Sequence, residues 1–344
     1  LFILISSILT IIFNHDNIYS YIIFWIFFII AYMVYSSISL REFIIIYNNI
    51  MYYLCIFSLI TFAILNIYPS VFNFLPLVTN NAGLTVRNAF FSVVYDSNYF
   101  NRNFGLFWEP GAYQTFINLA IFFQVFIIKD FKFKYIGVFL ATIFTTFSTT
   151  GYLASIFILF ILLFLRKTEI YEEVKRRKKF ILIIIIGGIL IFSLLPETIK
   201  FRVFGKLEVI FNPELASKSR SFGSTTTRTN SIKYPLMWAF TSPLFGIGFS
   251  KLAQKAIDFG FNMVTCTPVN WFALFGLLPG MMFNFCILQW TRLVKGNLIL
   301  KLLLFIFLLL IVISENYNRN MFYLMFLFYS FDIKTEDKYS FTCE

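Results

Sequence analysis

The sequence predicts an all-α, polytopic integral membrane protein, with about ten membrane segments in one domain that covers residues 1–344. Two observations carry this prediction. Hydrophobic residues make up 59% of the chain and charged residues only 13%, and the mean hydropathy is +0.79. Most of such a chain cannot form the water-facing surface of a soluble domain. Because Leu1 begins inside an apolar run without a preceding Met, we expect an N-terminal part of a longer protein to be missing.

Apolar runs of bilayer length give the individual segments, since about 20 helical residues cross a hydrocarbon core about 30 Å thick. Single membrane helices are predicted near residues 1–13, 18–38, 43–66, 111–128, 180–196, 268–291, 298–313 and 321–333.

Residues 135–165 are too long for one ordinary span and too short for two. Lysines and arginines flank this run on both sides, so both ends are predicted to be cytoplasmic. A hairpin that turns at Ser148–Gly151 satisfies this condition, because hydroxyls and a glycine can satisfy broken backbone bonds beside a polar cavity. The alternative is a single tilted helix whose hydroxyls bond back to its own carbonyls.

The resulting topology places the two large polar segments, 67–110 and 197–267, on the extracytoplasmic side. The second is the large loop of the domain. Between residues 197 and 233 it carries seven basic residues against three acidic ones, which favours an anionic partner. The segments predicted to be cytoplasmic are Arg41, 129–134, 166–179, 292–301 and the tail after Phe331.

The charge and the residue types exclude several classes of function. The net charge of +11 arises from residues between apolar runs, so it favours membrane topology and anionic membrane lipid rather than nucleic acid. His15 is the only histidine, and the four cysteines are scattered. A histidine-based metal site and a Ser-His-Asp triad are therefore not expected. Nucleotide phosphate-binding motifs are also absent from the sequence, and we expect neither a metal nor a cofactor.

The stretch "NRNFGLFWEPGAYQ", residues 101–114, places Arg102 and Glu109 at the start of a predicted span. A guanidinium at the membrane interface matches phosphate oxygens and cannot escape burial by losing its proton. Glu109 precedes Pro110, which suits the first turn of a helix. Helix capping, with anchoring by Trp108, is the structural alternative for Glu109.

A second basic pair, Arg228 and Lys233, precedes "YPLMWAFTSPLFGIGF" in the large loop. Arg228 is the sharper candidate for contact with an anionic ligand. Gly246 and Gly248 are more typical of a tight turn than of a phosphate cradle.

Four patterns in this order resemble the bacterial O-antigen polymerase and O-antigen ligase-related superfamily over roughly residues 100–291. They are "R-x-x-G-x-x-x-EP", "STTGY", an outer loop with "R…W…PLFGIGF", and "NWFALFG" at the next span. The resemblance implies an undecaprenyl-diphosphate-linked oligosaccharide as donor and metal-independent, inverting glycosyl transfer. By position it implies catalytic roles for Arg102, Glu109 and Arg228. The predicted substrate-binding residues are Arg102, Arg228, Lys233, Ser148, Thr150 and Asn270.

The stretch "TCTPVNWFALFGLLPG" departs from the ligase pattern, which carries a histidine a few residues before the asparagine. Without that histidine, the resemblance favours polymerisation of repeat units into O-antigen or capsule at the outer face of the bacterial cytoplasmic membrane. It also implies a chain-length regulator protein as a partner. Glu109 is the first candidate base, and Glu315 is the alternative. The rival functions are a ligase and a lipid-linked oligosaccharide flippase or other transporter. Transporters usually contain internal repeats, and the sequence shows no such repeat.

Overall fold

The computed structural model describes residues 1–79, 85–95, 102–164, 221–260 and 264–333. The chain divides into two compact units. Unit 1 comprises residues 1–44 and 223–339, and unit 2 comprises residues 45–222 and 340–344.

Helices form most of the described structure. They are α1 (Phe2–Asn14), α2 (Tyr19–Ser37), α3 (Leu40–Ile67), α4 (Pro110–Phe122, continued by the π-helical Phe123–Ile127), α5 (Phe133–Thr146), α6 (Thr149–Phe164), α7 (Ser221–Thr241), α8 (Phe249–Asp258), α9 (Thr267–Phe275), α10 (Leu277–Trp290), α11 (Leu298–Val312) and α12 (Met321–Ser330).

Three of the described helices are long and apolar enough to cross a membrane, namely Tyr19–Ser37, Leu40–Ile67 and Pro110–Ile127. Five shorter apolar helices also lie in predicted spans. A mostly helical protein with several membrane-compatible helices is therefore confirmed, whereas the count of about ten segments stays a prediction. The expected span at 180–196 lies outside the described residues.

The hairpin predicted in residues 135–165 is present, and the alternative of one tilted helix is wrong. Helix α5 ends at Thr146, its C-cap residue Phe147 has a left-handed backbone (φ 48°), and α6 begins at Thr149. Tyr152 folds back on α5 and donates from Oη to the Phe144 carbonyl at 2.7 Å. The turn lies at Phe147–Ser148, slightly earlier than predicted, so Thr150 and Gly151 already belong to the first turn of α6.

The single span predicted at 268–291 is wrong, because the chain folds back at Gly276 into α9 and α10. Asn284 donates from Nδ2 to the Pro268 carbonyl at 3.0 Å, and the rings of Trp271 and Phe283 stack 4.6 Å apart. These contacts are impossible in one continuous helix, which rises about 1.5 Å per residue. Neither arm alone has the length of a bilayer-spanning helix.

The predicted outer loop 67–110 contains a small antiparallel sheet that the sequence analysis did not identify. Its strands are β1 (Leu77–Thr79), β2 (Thr85–Ala89) and β3 (Ser92–Tyr95), in the order β1-β2-β3. Val86 pairs with Val78 and with Tyr95. The amide of Val93 donates to the Gly105 carbonyl at 2.7 Å, which links the sheet to the segment that carries Arg102.

Helices α2 and α12 pack side by side in unit 1. The rings of Phe28 and Phe328 lie 4.8 Å apart. At one end of the pair, Tyr35 donates to Asp332 at 2.7 Å. The opposite end is the beginning of α2, where Tyr21 contacts Phe249 and Arg319 lies over the same phenyl ring.

Candidate functional site

Arg102, in unit 2, binds the end of α5. Its Nε donates to the Thr146 carbonyl at 2.9 Å and its Nη2 to the Phe147 carbonyl at 3.0 Å. The last carbonyls of a helix lack intrahelical partners and carry partial negative charge, so a guanidinium stabilises them. The Arg102 side chain, which is predicted to contact phosphate, thus also caps the C-terminal end of α5 within the hairpin.

The neighbouring residues hold the Arg102 segment against α3 and α5. Asn103 is buried and donates to Ser58 Oγ at 3.1 Å and to Thr145 Oγ1 at 2.9 Å. Gly105 has φ +53°, and a Cβ there would lie 2.6 Å from the Tyr113 ring. The glycine in "RNFG" is therefore needed for close packing.

Glu109 occupies the N-cap position of α4 with an extended backbone, and its side chain accepts no capping hydrogen bond. Its carbonyl accepts the amides of Ala112 and Tyr113, both at 3.1 Å. Within the described ranges, the carboxylate has no ion pair with Arg102. The Glu109 side chain therefore does not cap α4 by a hydrogen bond, and its role as a base stays a prediction.

Ser148 and Thr150, the predicted polar groups of the hairpin, lie at the start of α6. Ser148 is buried, and its Oγ accepts the Gly151 amide at 3.4 Å. This is the arrangement of a helix N-cap. Thr150 is half-buried in the first turn. A substrate-binding role for either residue stays a prediction.

Arg228, in unit 1, lies on α7 three residues before Ser231, so the two side chains share one side of the helix. Ser231 is fully buried, and its Oγ accepts the Thr265 amide at 3.0 Å. Arg228 is thereby oriented toward the segment that leads into α9. Lys233 is exposed on another side of α7, with Nζ 5.5 Å from the Tyr234 ring, so the structure does not place it with Arg228.

Gly246 and Gly248, at φ +64° and +82°, form the tight turn that the sequence indicated.

The start of α9 carries several buried polar atoms without a hydrogen-bond partner in the described structure. Asn270, a predicted binding residue, is fully buried and donates from Nδ2 to the Val264 carbonyl at 3.2 Å. Its Oδ1 has no partner, and the same holds for Thr265 Oγ1 and Trp271 Nε1. Buried polar groups are nearly always hydrogen-bonded, so each of these three atoms, all within residues 265–271, can still form a hydrogen bond with a polar ligand or water.

Thr267 joins this cluster to the loop between α11 and α12. Its Oγ1 donates to the Glu315 carbonyl at 2.8 Å and accepts the Tyr317 amide at 2.7 Å. Glu315 is only 3% exposed. The backbone of Glu315, the alternative base, therefore lies beside Thr267, three residues before Asn270.

Two further residues, Asp16 and Arg319, were missed in the sequence. Asp16 accepts the Tyr21 hydroxyl at 2.7 Å and the amides of Asn17 and Ser250 at 2.9 and 3.3 Å. Arg319 Cζ lies 4.1 Å from the centre of the Phe249 ring. The available signal was a charged residue in a short polar stretch between two apolar runs, "NHDN" and "SENYNRN".

The apolar helices, the broken helix pair α9–α10 and the buried polar junction together define a helical membrane-type protein with an internal polar site. A family model described as O-antigen ligase matches residues 135–270, the region from α5 to the start of α9. This match confirms the resemblance seen in the sequence. Neither the curated proteins nor the solved structures contain a match to this chain.

Proposed function

We propose that the protein polymerises undecaprenyl-diphosphate-linked oligosaccharide repeat units into a surface polysaccharide at the outer face of the bacterial cytoplasmic membrane. The match to the O-antigen ligase family supports polymerase- or ligase-type activity. The observation that carries the proposal is the buried polar junction, where Asn270, Thr265 and Trp271 have unpaired polar atoms beside the Glu315 backbone held by Thr267. Sugar hydroxyls can donate to and accept from such atoms.

In the proposed reaction, an acceptor hydroxyl attacks the anomeric carbon of the donor glycan. The bond from that carbon to the diphosphate oxygen breaks, and the electron pair leaves with the diphosphate. The new negative charge needs fixed positive charge nearby, which we assign to Arg228 and Arg102. A joint contact of both arginines with one diphosphate stays a prediction, since they belong to different compact units.

The hydroxyl proton passes to a carboxylate. The surroundings favour Glu315 over Glu109, because Glu315 is 3% exposed and its backbone is bound by Thr267, three residues before Asn270. Glu109, in contrast, is half-buried at the N-cap position of α4. Without the ligase-type histidine, a buried glutamate supplies the base that a polymerase of this kind needs.

The experiment is chain elongation by the purified protein on synthetic lipid-linked repeat units, with donor binding measured separately. Glu315→Gln is nearly isosteric, so we expect donor binding to persist and turnover to fall by about 100-fold or more. Glu109→Gln is the matched control and should retain most of its turnover. Normal turnover of Glu315→Gln together with loss in Glu109→Gln would return the role of base to Glu109.

Deletion of the gene separates the rival functions. Single capped repeat units on a gel of surface polysaccharide indicate a polymerase. Loss of all attachment to the acceptor indicates a ligase, and accumulation of the lipid-linked repeat on the cytoplasmic side indicates a flippase.

A further inference from the structure

Arg319 lies in the loop between the apolar helices α11 and α12, outside residues 135–270 that the family model matches. Its guanidinium stacks on Phe249, with Cζ 4.1 Å from the ring centre. Phe249 follows Gly248, whose positive φ allows the chain to pass close to Asp16. Arg319 is therefore held at the end of unit 1 at which α2 begins.

Although the Arg319 guanidinium stacks on Phe249, its nitrogen atoms have no hydrogen-bond partners in the described structure. Nε is buried and has no hydrogen-bond partner. The residue as a whole keeps partial exposure, so a ligand can reach it. A guanidinium carries five N–H donors in a planar fork, and none of them donates to a described residue.

The carboxylate of Asp16, whose charge acts on Arg319, already accepts other hydrogen bonds. Both oxygens of Asp16 accept hydrogen bonds, from Tyr21, Asn17 and Ser250. Asp16 acts on Arg319 through space without forming an ion pair with it. Its charge therefore offsets part of the guanidinium charge but satisfies none of its donors.

A half-buried cation without hydrogen bonds destabilises a fold unless a partner compensates for its lost hydration. Burial lowers the pKa of Arg319, yet an arginine stays protonated at neutral pH. The missing partner must therefore be an anion. Because the loop joins two apolar helices at the end of the helix bundle of unit 1, the anion that can approach it is the head group of a membrane lipid.

We infer that Arg319 binds a phosphate group of a membrane lipid, with Phe249 beneath the guanidinium and the unpaired Nε directed at a phosphate oxygen. This inference rests on the proposed function only where the lipid is the polyprenyl diphosphate. A polymerase handles two such lipids, the donor and the acceptor. In unit 1, Arg319 would supply a second positive charge in addition to that of Arg228. A phospholipid head group offers the same phosphate chemistry.

The test uses the full chain in nanodiscs of phosphatidylcholine, with undecaprenyl diphosphate and phosphatidylglycerol as separate probes. We expect Arg319→Gln and Arg319→Lys to weaken binding of one probe by about tenfold or more, because lysine keeps the charge but not the planar fork. The matched control is Arg292→Gln in the loop before α11, where the arginine is exposed and binding should not change.

Thermal unfolding without the probes separates a ligand contact from a structural role. Removal of an uncompensated cation should leave the midpoint of the Arg319→Gln variant equal to or higher than that of the wild type. A lower midpoint would identify Arg319 as structural and overturn the inference, and so would unchanged binding of both probes.

The two probes also identify the lipid. Selective loss of undecaprenyl diphosphate binding assigns Arg319 to the glycan carrier, and selective loss of phosphatidylglycerol binding assigns it to a phospholipid. Absence of chain elongation by the wild type would contradict the proposed function but leave this inference intact, since binding is measured without turnover.

Discussion

Arg102 donates from Nε and Nη2 to the carbonyls of Thr146 and Phe147, the point at which α5 ends. Two parallel donors on one planar group are what an arginine provides and a lysine does not. The side chain that the sequence assigned to phosphate therefore also stabilises the α5–α6 turn. Loss of activity on mutation of Arg102 alone would not separate these two roles.

We predict that Arg102→Lys lowers the free energy of unfolding by about 1–2 kcal/mol, since an ammonium group replaces a guanidinium that makes two charge-assisted bonds. Thermal or denaturant unfolding of the purified protein in detergent measures this change. Arg292→Lys is the control, because Arg292 is exposed. An unchanged midpoint for Arg102→Lys would show that the two carbonyl contacts add nothing to stability.

The residues of the candidate site were predictable to different degrees. Arg228 and Asn270 could be named as candidates because they lie in patterns with a recognisable order. The structure places Asn270 at the start of α9 and Arg228 on α7, three residues before Ser231, which binds Thr265.

Asp16 and Arg319 lie far from these patterns in sequence. Asp16 accepts hydrogen bonds from Tyr21 and from Ser250 at the start of α8, and Arg319 stacks on Phe249 of the same helix. Such proximity depends on tertiary contacts that hydropathy does not encode.

Among the elements, the two hairpins show what hydropathy can and cannot resolve. Lysines on both sides of 135–165 indicated a turn, and the structure has it. Residues 268–291 have the length of one span, and their apolar composition concealed the turn at Gly276. The sequence did contain a local signal for this turn. Gly276 is followed three residues later by Pro279, and a proline is well tolerated in the first turn of a helix, so the pair is compatible with the start of a new helix after Gly276.

Gly276 provides a test of the α9–α10 turn. It has φ +98°, and a Cβ there would collide with the carbonyls of Leu244 and Pro243. We predict that Gly276→Ala lowers the free energy of unfolding by about 1–3 kcal/mol, because both the backbone conformation and the contact are unavailable to alanine. Unfolding in detergent measures the change.

The control for that prediction is Gly137→Ala. Gly137 lies inside α5, and a Cβ added there would have no atom within 4 Å. Alanine favours a helix over glycine by about 1 kcal/mol, so this variant should be equally stable or more stable. A Gly276→Ala variant as stable as Gly137→Ala would contradict the tight approach of the chain at residue 276.

The sheet in residues 77–95 was missed for a different reason. Its strands have only three to five residues, too few for alternation to stand out. Leu65, Phe72, Ala89 and Val94 form a small buried cluster beneath it. These short strands have little intrinsic preference for β-structure. Tertiary contacts with the end of α3 therefore stabilise them.

At the scale of the whole molecule, each compact unit has two distinct ends. In unit 1, Asp16 and Arg319 lie near the start of α2, whereas Tyr35 and Asp332 meet near its end. The 19 residues of α2 extend for about 28 Å at about 1.5 Å per residue, close to the thickness of a hydrocarbon core. The sequence-based topology places the first end outside and the second in the cytoplasm.

The corresponding prediction concerns exposed positions at the two ends of each unit. Asn316 in unit 1 and Asn66 in unit 2 are exposed at ends predicted to be extracytoplasmic, and Ser37 and Lys129 are exposed at ends predicted to be cytoplasmic. We expect Asn316→Cys and Asn66→Cys to react with a membrane-impermeant thiol reagent in intact cells. Ser37→Cys and Lys129→Cys should react only after permeabilisation.

Cys55, Cys266 and Cys286 are buried, so replacement of Cys343 by serine should leave little background labelling, and the chain without an introduced cysteine is the control. Because Thr267 binds the Glu315 and Tyr317 backbone, the side found for Asn316 is also the side of the candidate site. Labelling of Ser37→Cys but not Asn316→Cys in intact cells would place that site in the cytoplasm, where it could not extend a glycan that has already crossed the membrane.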